Sequence, residues 1–592
     1  MSKSTETVSR RRLVQSIGAV SAAGLAGCVG GGSGGATDED LGERVPEVTN
    51  EYWSDYGGFT TIQENMSTII ERNARDVLGV EVNSEGRGIN SQLDSTFNDE
   101  RDSEFTFFWY VNGFYRLDPQ ELTRWFSADF AGANGRANVA NWVNCDYTEA
   151  ALAQESAPDE EERREHVYRS QEILSEACVP IPLTPNTDIG AWRTDEIGEN
   201  GIDDAGVTRT NGNFFLQMES LTDRDRIEVG VDPIMFETRN YLTQSAGNPS
   251  APWEVQLHSP LLWYSESYEL ETYLAESYDV SDDGQQITFQ ILEDATFHNG
   301  DPVTAEDVKF TFEQLVRGAE AGAYPKPSLP PYEEINVVDE KTVEFNFSEP
   351  YLLFLTAIAP RWGILHKETW EEGGAVEDPS GFTFDNVVGS GPYQFVDNEP
   401  GSYMEWEPYE DHPVEVPDTN IYWRGYRDET TMVQALESNE IQVLPEVSPG
   451  GAQRAEDMEN VETYYADGFL SFVLYPQASF APGKFEAFRK AFAACLNRQE
   501  MSDIAFNGEA DPELYANHFM PAHPWRAPDD RLYQMAEETT GSPEMAEEIL
   551  RDAGWGWDSD GNLHYPPDAD LSPVWPQGEE PSADDFPCLE DI

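Results

Sequence analysis

The feature that most limits the fold is a change of period early in the chain. Ile62, Met66, Ile69, Ile70 and Ala74 recur at helical spacing in IQENMSTIIERNA, so one face of that helix is apolar. LGVEV (78–82) then reads as a short strand with Gly79 at the turn, and after a polar, helix-like span FTFFWY (105–110) reads as another strand. A chain that alternates amphipathic helices with short apolar strands builds an α/β fold.

The alternation continues at HVYRSQEILSEACVPIPLTPN (166–186). Val167, Ile173, Leu174 and Ala177 predict a helix, and Pro180, Pro182 and Pro185 force the chain that follows to be extended, because each lacks an amide donor and disfavours helix before it. A second region starts at RIEVGVD (226–232), read as a strand, and LLWYS (261–265) precedes TYLAESYDVSDDGQQITFQIL. The DDG at 282–284 predicts a hairpin, as does INVVDEKTVEFNF. In FHNGDPVTAEDVKFTFEQL, Thr304 is the expected N-cap, with Val308, Phe312 and Leu315 on the buried face. Later, LSFVLYP predicts a strand. FEAFRKAFAACLNRQEM predicts one helix with Phe485, Phe488, Phe492 and Leu496 inward. SPEMAEEILRDAGW predicts a helix with Ser542 as N-cap, Pro543 at the first position and Gly554 as the stop.

Composition matters for the surface. The formal charge is −76, from 112 acidic and 36 basic residues. Such a surface repels nucleic acid and anionic lipid, which argues against both as partners. Disorder is one reading of so much charge. Twelve per cent aromatics and recurrent apolar periodicity favour a folded protein adapted to concentrated salt, where screening falls to ~3 Å at 1 M.

SRRRLVQ (9–15) precedes a short apolar run, Ile17 to Ala26, that ends in LAGC. The paired arginines resemble a twin-arginine export signal, and LAGC resembles a lipobox whose Cys28 is lipidated. The Gly-rich, acidic stretch after it is the expected tether. Four further cysteines remain. Cys145 with Cys178 is one candidate bridge in an exported protein, and buried free thiols are the alternative. No CxxC pair points to zinc, and no cofactor is expected.

Several segments together resemble the extracellular solute-binding proteins of peptide- and nickel-type ABC importers, solute-binding protein family 5. They are TYLAESYDVSDDGQQITFQIL, FHNGDPVTAEDVKFTFE, VVGSGPYQF, ALESNEIQVL, FEAFRKAFAACLNRQEM and AEEILRDAGW. The resemblance covers most of 226–565 in the family's order and about 60–190 out of order. It implies an α/β, two-lobed periplasmic-binding-protein-like fold (type II, with an extra subdomain), circularly permuted. The family's ends would meet near 220, and the new ends would fall in the loop after DGNLHYP. Surface loops tolerate such opening; a fusion of two partial domains is the alternative. The expected layout is signal 1–28, tether 29–49, lobe II 50–185, lobe I with its subdomain 186–465, lobe II again 466–575, and an acidic tail 576–592.

Motifs for chemistry are missing. GGFTT, GSGPY and GDP lack the lysine and helix of a phosphate loop, and no GxSxG occurs. His518 and His523 read as surface or capping residues rather than metal ligands. The expected function is therefore capture of a peptide-like or other small polar solute, with no catalysis, for delivery to a membrane permease and its ATPase subunits. The protein would act as a monomer on the outer face of the membrane, held only by a lipid anchor. A secreted hydrolase of peptides or sugars and a sensor or adhesion lipoprotein are the other readings. The resemblance implies a cleft lined by aromatic and polar groups: Trp109, Tyr110 and Asn112 after FTFFWY, Trp263 and Tyr264 in LLWYS, Tyr475 and Gln477 in LYPQ. Peptide-binding relatives place an aspartate three residues after the tryptophan, paired with the peptide ammonium. Asn112 stands there and supplies no such charge.

Overall fold

The computed structural model describes residues 41–592 except 55–56, 89–90, 93–95, 97–102, 111–115, 133–137, 158–159, 199–211, 234–239, 241–255, 266–268, 321–330, 380–386, 467, 577 and 591–592. The twin-arginine stretch, Cys28, most of the tether and Asn112 therefore lie outside the described residues.

In chain order the first strands and helices are β1 (Val48–Trp53), α1 (Gly57–Asn73), β2 (Val82–Arg87), β3 (Phe105–Phe108), α2 (Gln120–Phe126), α3 (Cys145–Ala153), α4 (Glu160–Glu176) and β4 (Ile181–Pro185). The chain then enters a second layer system. It contains β5 (Asp188–Arg193), α5 (Gly212–Gln217), β6 (Arg226–Val231), β7 (Leu262–Tyr264), β8 (Leu270–Thr272), β9 (Ala275–Val280), β10 (Gln286–Ile291), α6 (Ala305–Glu320), β11 (Tyr332–Val337), β12 (Thr342–Phe347) and α7 (Lys367–Glu372). It continues with β13 (Tyr393–Glu399), β14 (Tyr403–Pro408), β15 (Asn420–Gly425), α8 (Glu429–Glu437), β16 (Val443–Leu444), α9 (Pro449–Glu456) and β17 (Val461–Ala466). Last come β18 (Ser471–Pro476), α10 (Glu486–Cys495), α11 (Arg498–Ala505), α12 (Pro543–Asp552) and the small hairpin β19 (Gly556–Trp557) and β20 (Leu563–His564).

Two lobes result. One holds a five-stranded sheet in the order β2-β1-β3-β18-β4, so a strand from the end of the chain is inserted between two from its beginning. Val473 faces Phe108 on one side and Pro182 on the other. All six residues of β18 are buried, as expected of a central strand covered on both faces. One hydrophobic core serves this lobe. It draws Ile62, Met66, Ile69 and Ile70 of α1 together with Phe488, Phe492 and Leu550 from the far end of the chain. The other lobe holds a seven-stranded mixed sheet, β13-β14-β15-β6-β16-β5-β17, and an antiparallel four-stranded sheet, β11-β12-β10-β9, packed on one core. The fold is thus α/β and two-lobed.

Among the described residues the chain passes between lobes at two places, from β4 to β5 and from β17 to β18. The passages run side by side: the Asn186 N–H donates to the Leu470 carbonyl at 2.9 Å. Gly468 fits there because a β-carbon would come within 2.2 Å of the Asn186 carbonyl oxygen.

Several local expectations hold. The DDG turn joins β9 to β10, and Thr304 and Asp307 form a reciprocal cap at the start of α6, with Val308, Phe312 and Leu315 buried. Others shift. Helical turns continue through Leu78, and Gly79 takes φ +71°, so the strand expected at LGVEV begins only at Val82. No other residue type fits at Gly79, since a β-carbon would lie 1.9 Å from the Gly561 carbonyl. FEAFRKAFAACLNRQEM is two helices rather than one. Leu496 is extended, and the Asn497 side chain accepts from the Glu500 N–H at 3.0 Å, capping α11. Ser542 precedes α12, but its hydroxyl accepts from the Glu537 N–H and does not cap.

Cys145 does not pair with Cys178. It is bonded to Cys588 across 443 residues, which ties the end of the chain to α3, while Cys178 and Cys495 are buried free thiols. His518 and His523 are core residues and not surface ones, at 1% and 3% exposure.

Candidate functional site

Trp263 and Tyr264 lie on β7 where the two cores meet. Tyr264 belongs to the core of the first lobe although its strand is in the second, and Trp263 packs against both cores. Their geometry is set by Asn213 on α5. Its Oδ1 accepts from the Trp263 indole N–H at 3.0 Å, and its amide donates to the Tyr264 carbonyl at 3.4 Å. Asn213, Trp263, Tyr264, Tyr273, Glu271 and Glu415 are among the residues that wall a cavity of about 520 Å³.

That cavity combines aromatic faces with carboxylates. The Tyr273 hydroxyl donates to Glu415 Oε1 at 2.6 Å. Burial pushes the Glu415 carboxyl above its ordinary value, opposed by that hydrogen bond, and burial also raises the Tyr273 phenol well above its own. His412, whose Nδ1 lies 2.8 Å from the Glu415 carbonyl, is pushed down to about 4 by burial. It is therefore neutral at neutral pH and adds no positive charge beside the carboxylates. The volume suits a small solute, and the lining offers stacking surface together with acceptors for N–H groups.

A polar bridge crosses the seam beside this cavity. Asp118, in the turn that precedes α2, is paired in a bidentate manner with Arg163 of α4 at 2.9 and 3.1 Å. Arg163 Nη1 donates to Thr356 Oγ1 of the opposite lobe at 3.3 Å, the Thr356 hydroxyl donates to Asp118, and the Tyr264 hydroxyl donates to the Thr356 carbonyl at 2.6 Å. Thr356 sits in a wide helical turn, Phe354–Ile358, a distortion that often marks functional segments. Nearby, burial lifts the Glu155 carboxyl to about 7.

Of the other residues read from the sequence, Asn112 lies outside the described residues, and Trp109, Tyr110, Tyr475 and Gln477 lie in the first lobe, closed off from solvent. Trp109 and Tyr110 are 3% and 4% exposed, and Tyr475 and Gln477 are fully buried. The Tyr110 and Tyr475 hydroxyls are 2.9 Å apart, with His518 Nδ1 3.3 Å from Tyr475. Gln477 donates to the Val139 carbonyl. The Asn186 amide donates to the Tyr110 carbonyl at 2.7 Å, so this aromatic group is coupled to the interlobe passage. Trp263 and Tyr264 are thus the residues from the sequence reading that line the cavity. Asn213, Tyr273, Glu415 and the Asp118–Arg163–Thr356 bridge were not singled out, because only the fold brings residues from such separate segments together.

A family model described as bacterial extracellular solute-binding proteins, family 5, middle region, matches residues 269–583, more than half of the chain. The chain belongs to this family. A probable D,D-dipeptide-binding periplasmic protein of Escherichia coli strain K12 is 33% identical over 151 residues, which is 26% of this chain and 29% of that protein. A di/tripeptide-binding protein of Pseudomonas aeruginosa strain UCBPP-PA14 is 24% identical over 300 residues, 48% of this chain and 54% of that one. The chain therefore spans at most about half the length of these relatives in such matches. Among solved structures, an oligopeptide-binding protein of Bacillus subtilis in complex with a nonapeptide is 19% identical, with a TM-score of 0.44, covering 59% of this chain and 67% of that one.

Proposed function

We propose that the protein is the extracellular solute-binding component of an ABC importer. It captures a peptide-like or other small polar solute between its lobes and passes it to a membrane permease driven by ATPase subunits, without bond chemistry of its own. The observation that carries this reading is the family match over 269–583. The cavity, walled by residues of the second lobe next to the interlobe bridge, and relatives named for peptide binding support it. Domain closure around a ligand is the motion such a two-lobed fold allows. The solute's amino group, if it has one, would meet Glu271 or Glu415 rather than Asn112. Calorimetric titration of di- and tripeptides at molar salt tests this. Saturable binding without product formation is expected, and Trp263→Ala should weaken it at least about tenfold, ~1.4 kcal/mol. Release of hydrolysis products would instead favour the hydrolase.

We also propose that the twin arginines direct export and that Cys28 carries the lipid anchor. Cys28→Ser should free the protein into the medium; its continued retention on cells would count against the anchor. The chain order is read as a circular permutation. The mixed sheet order β3-β18-β4 supports this. So does the exposed bend at 221–223 leading into β6. The chain before β1 also runs beside β20, with the Tyr565 N–H on the Glu43 carbonyl at 2.9 Å.

A further inference from the structure

Asp301, His366 and Glu368 stand together in the second lobe, and none of them lines the cavity at the seam. Their ligand atoms all lie within 4.8 Å of one another, and His366 Nε2 is 3.2 Å from Asp301 Oδ2. The imidazole is buried and held on its other side: Nδ1 lies 2.7 Å from Thr369 Oγ1, and the Phe297 ring meets it edge-on at 4.7 Å. The same Nδ1 faces the Thr369 N–H at 3.4 Å as the cap of α7; binding a metal through Nε2 places the proton on Nδ1, where it donates to the Thr369 hydroxyl at the expense of that cap. That is the arrangement of a metal-ligating histidine oriented by a hydrogen-bonding partner.

Both segments are fixed. The turn carrying Asp301 is closed by the Phe297 N–H on the Asp301 carbonyl at 2.8 Å and by the Asn299 amide on Asp301 Oδ2 at 2.6 Å. The start of α7 is tied to α6 by the Lys367 N–H on Asp307 at 3.0 Å. Among the described residues no lysine or arginine forms an ion pair with Asp301 or Glu368. We propose that these three residues bind one divalent first-row metal ion, and that the ion pins the 297–302 turn to the start of α7. One imidazole nitrogen and two carboxylate oxygens suit Zn²⁺ better than Ca²⁺ or Mg²⁺, which prefer oxygen alone. Bonds of about 2.0–2.2 Å require the ligand atoms to draw closer. The Glu368 carboxylate, which is exposed, would swing in, and Asp301 Oδ2 would exchange its Asn299 contact for the ion, while water completes the shell.

The test is a Zn²⁺ titration of the full folded chain after chelator treatment, at molar salt. One saturable equivalent is expected, with a rise in melting temperature. Glu368→Gln, a change at an exposed position, should weaken binding at least about tenfold and abolish the rise. His366→Gln should remove the site, and X-ray absorption at the zinc edge should show one imidazole. Equal binding by the parent and by a folded Glu368→Gln protein would overturn the proposal, since the many other carboxylates would then be the sink. Absence of any saturable equivalent would overturn it as well, leaving His366 and Asp301 as a hydrogen-bonded pair that holds the turn to α7.

Discussion

Glu155 is the residue with the clearest consequence for solution behaviour. Its carboxyl is raised by burial from 4.5 to about 7, and its Oε1 has no hydrogen-bond partner among the described residues. The native state therefore holds the proton at pH values where the unfolded chain has released it. Between those two values the native state binds more protons, so this group's contribution to stability falls as pH rises. The slope reaches at most ~1.4 kcal/mol per pH unit. Melting curves of the parent and of Glu155→Gln should diverge as pH climbs from about 5 to about 8, with the parent losing ground. Parallel curves would show that the group does not titrate in that window. The sequence reading could not find Glu155 because the chain has 112 acidic residues, and only packing singles one out. Trp263 and Tyr264 were legible because the family resemblance implies a cleft lined by aromatic side chains, and LLWYS offers two. Asn213 and Glu415 were not, since they join that pair only after the lobe has folded.

At the scale of elements, periodicity located the long amphipathic helices and the hairpins around 282–284 and 335–347, and it failed where a single side chain overrides it. Asn497 ends one helix and starts the next inside an unbroken apolar pattern, because its side chain satisfies the Glu500 amide better than another turn would. The Cys145–Cys588 bond was equally hidden, since spacing in sequence says nothing about which thiols meet. The interlobe passages are the elements on which function would turn. At Gly468 an added methyl would meet the Asn186 carbonyl oxygen at 2.2 Å and its carbon at 2.8 Å, both rigid backbone. Gly468→Ala should cost ~1–3 kcal/mol in urea unfolding, and it should also weaken solute binding by displacing Asn186 from Tyr110. An unchanged midpoint would mean that the two strands separate freely there.

Across the whole molecule the sequence shows a charge of −76 and raises the expectation of a permuted chain order. Screening decides the first. Lowering salt from molar to millimolar lengthens the Debye distance from ~3 Å to beyond 30 Å, so melting temperature should drop steeply; a flat response would contradict adaptation to salt. The second can be tested by cutting the chain elsewhere. A protein that begins at Arg226, runs to Tyr565, continues through a short linker into Glu43 and ends at Leu221 should fold, because Tyr565 already lies beside Glu43. Failure of that chain to form the five-stranded sheet would favour a fusion of two partial domains.

The central claim is that a solute occupies the seam between the lobes. It is tested most directly by purifying the protein from its culture at growth salt, without refolding, and identifying by mass spectrometry the small molecules released on denaturation. The account predicts one class of small polar solute, near one equivalent per chain, that is lost from a folded Trp263→Ala protein. Recovery of no solute, or of the same solute in equal amount from Trp263→Ala, would contradict it.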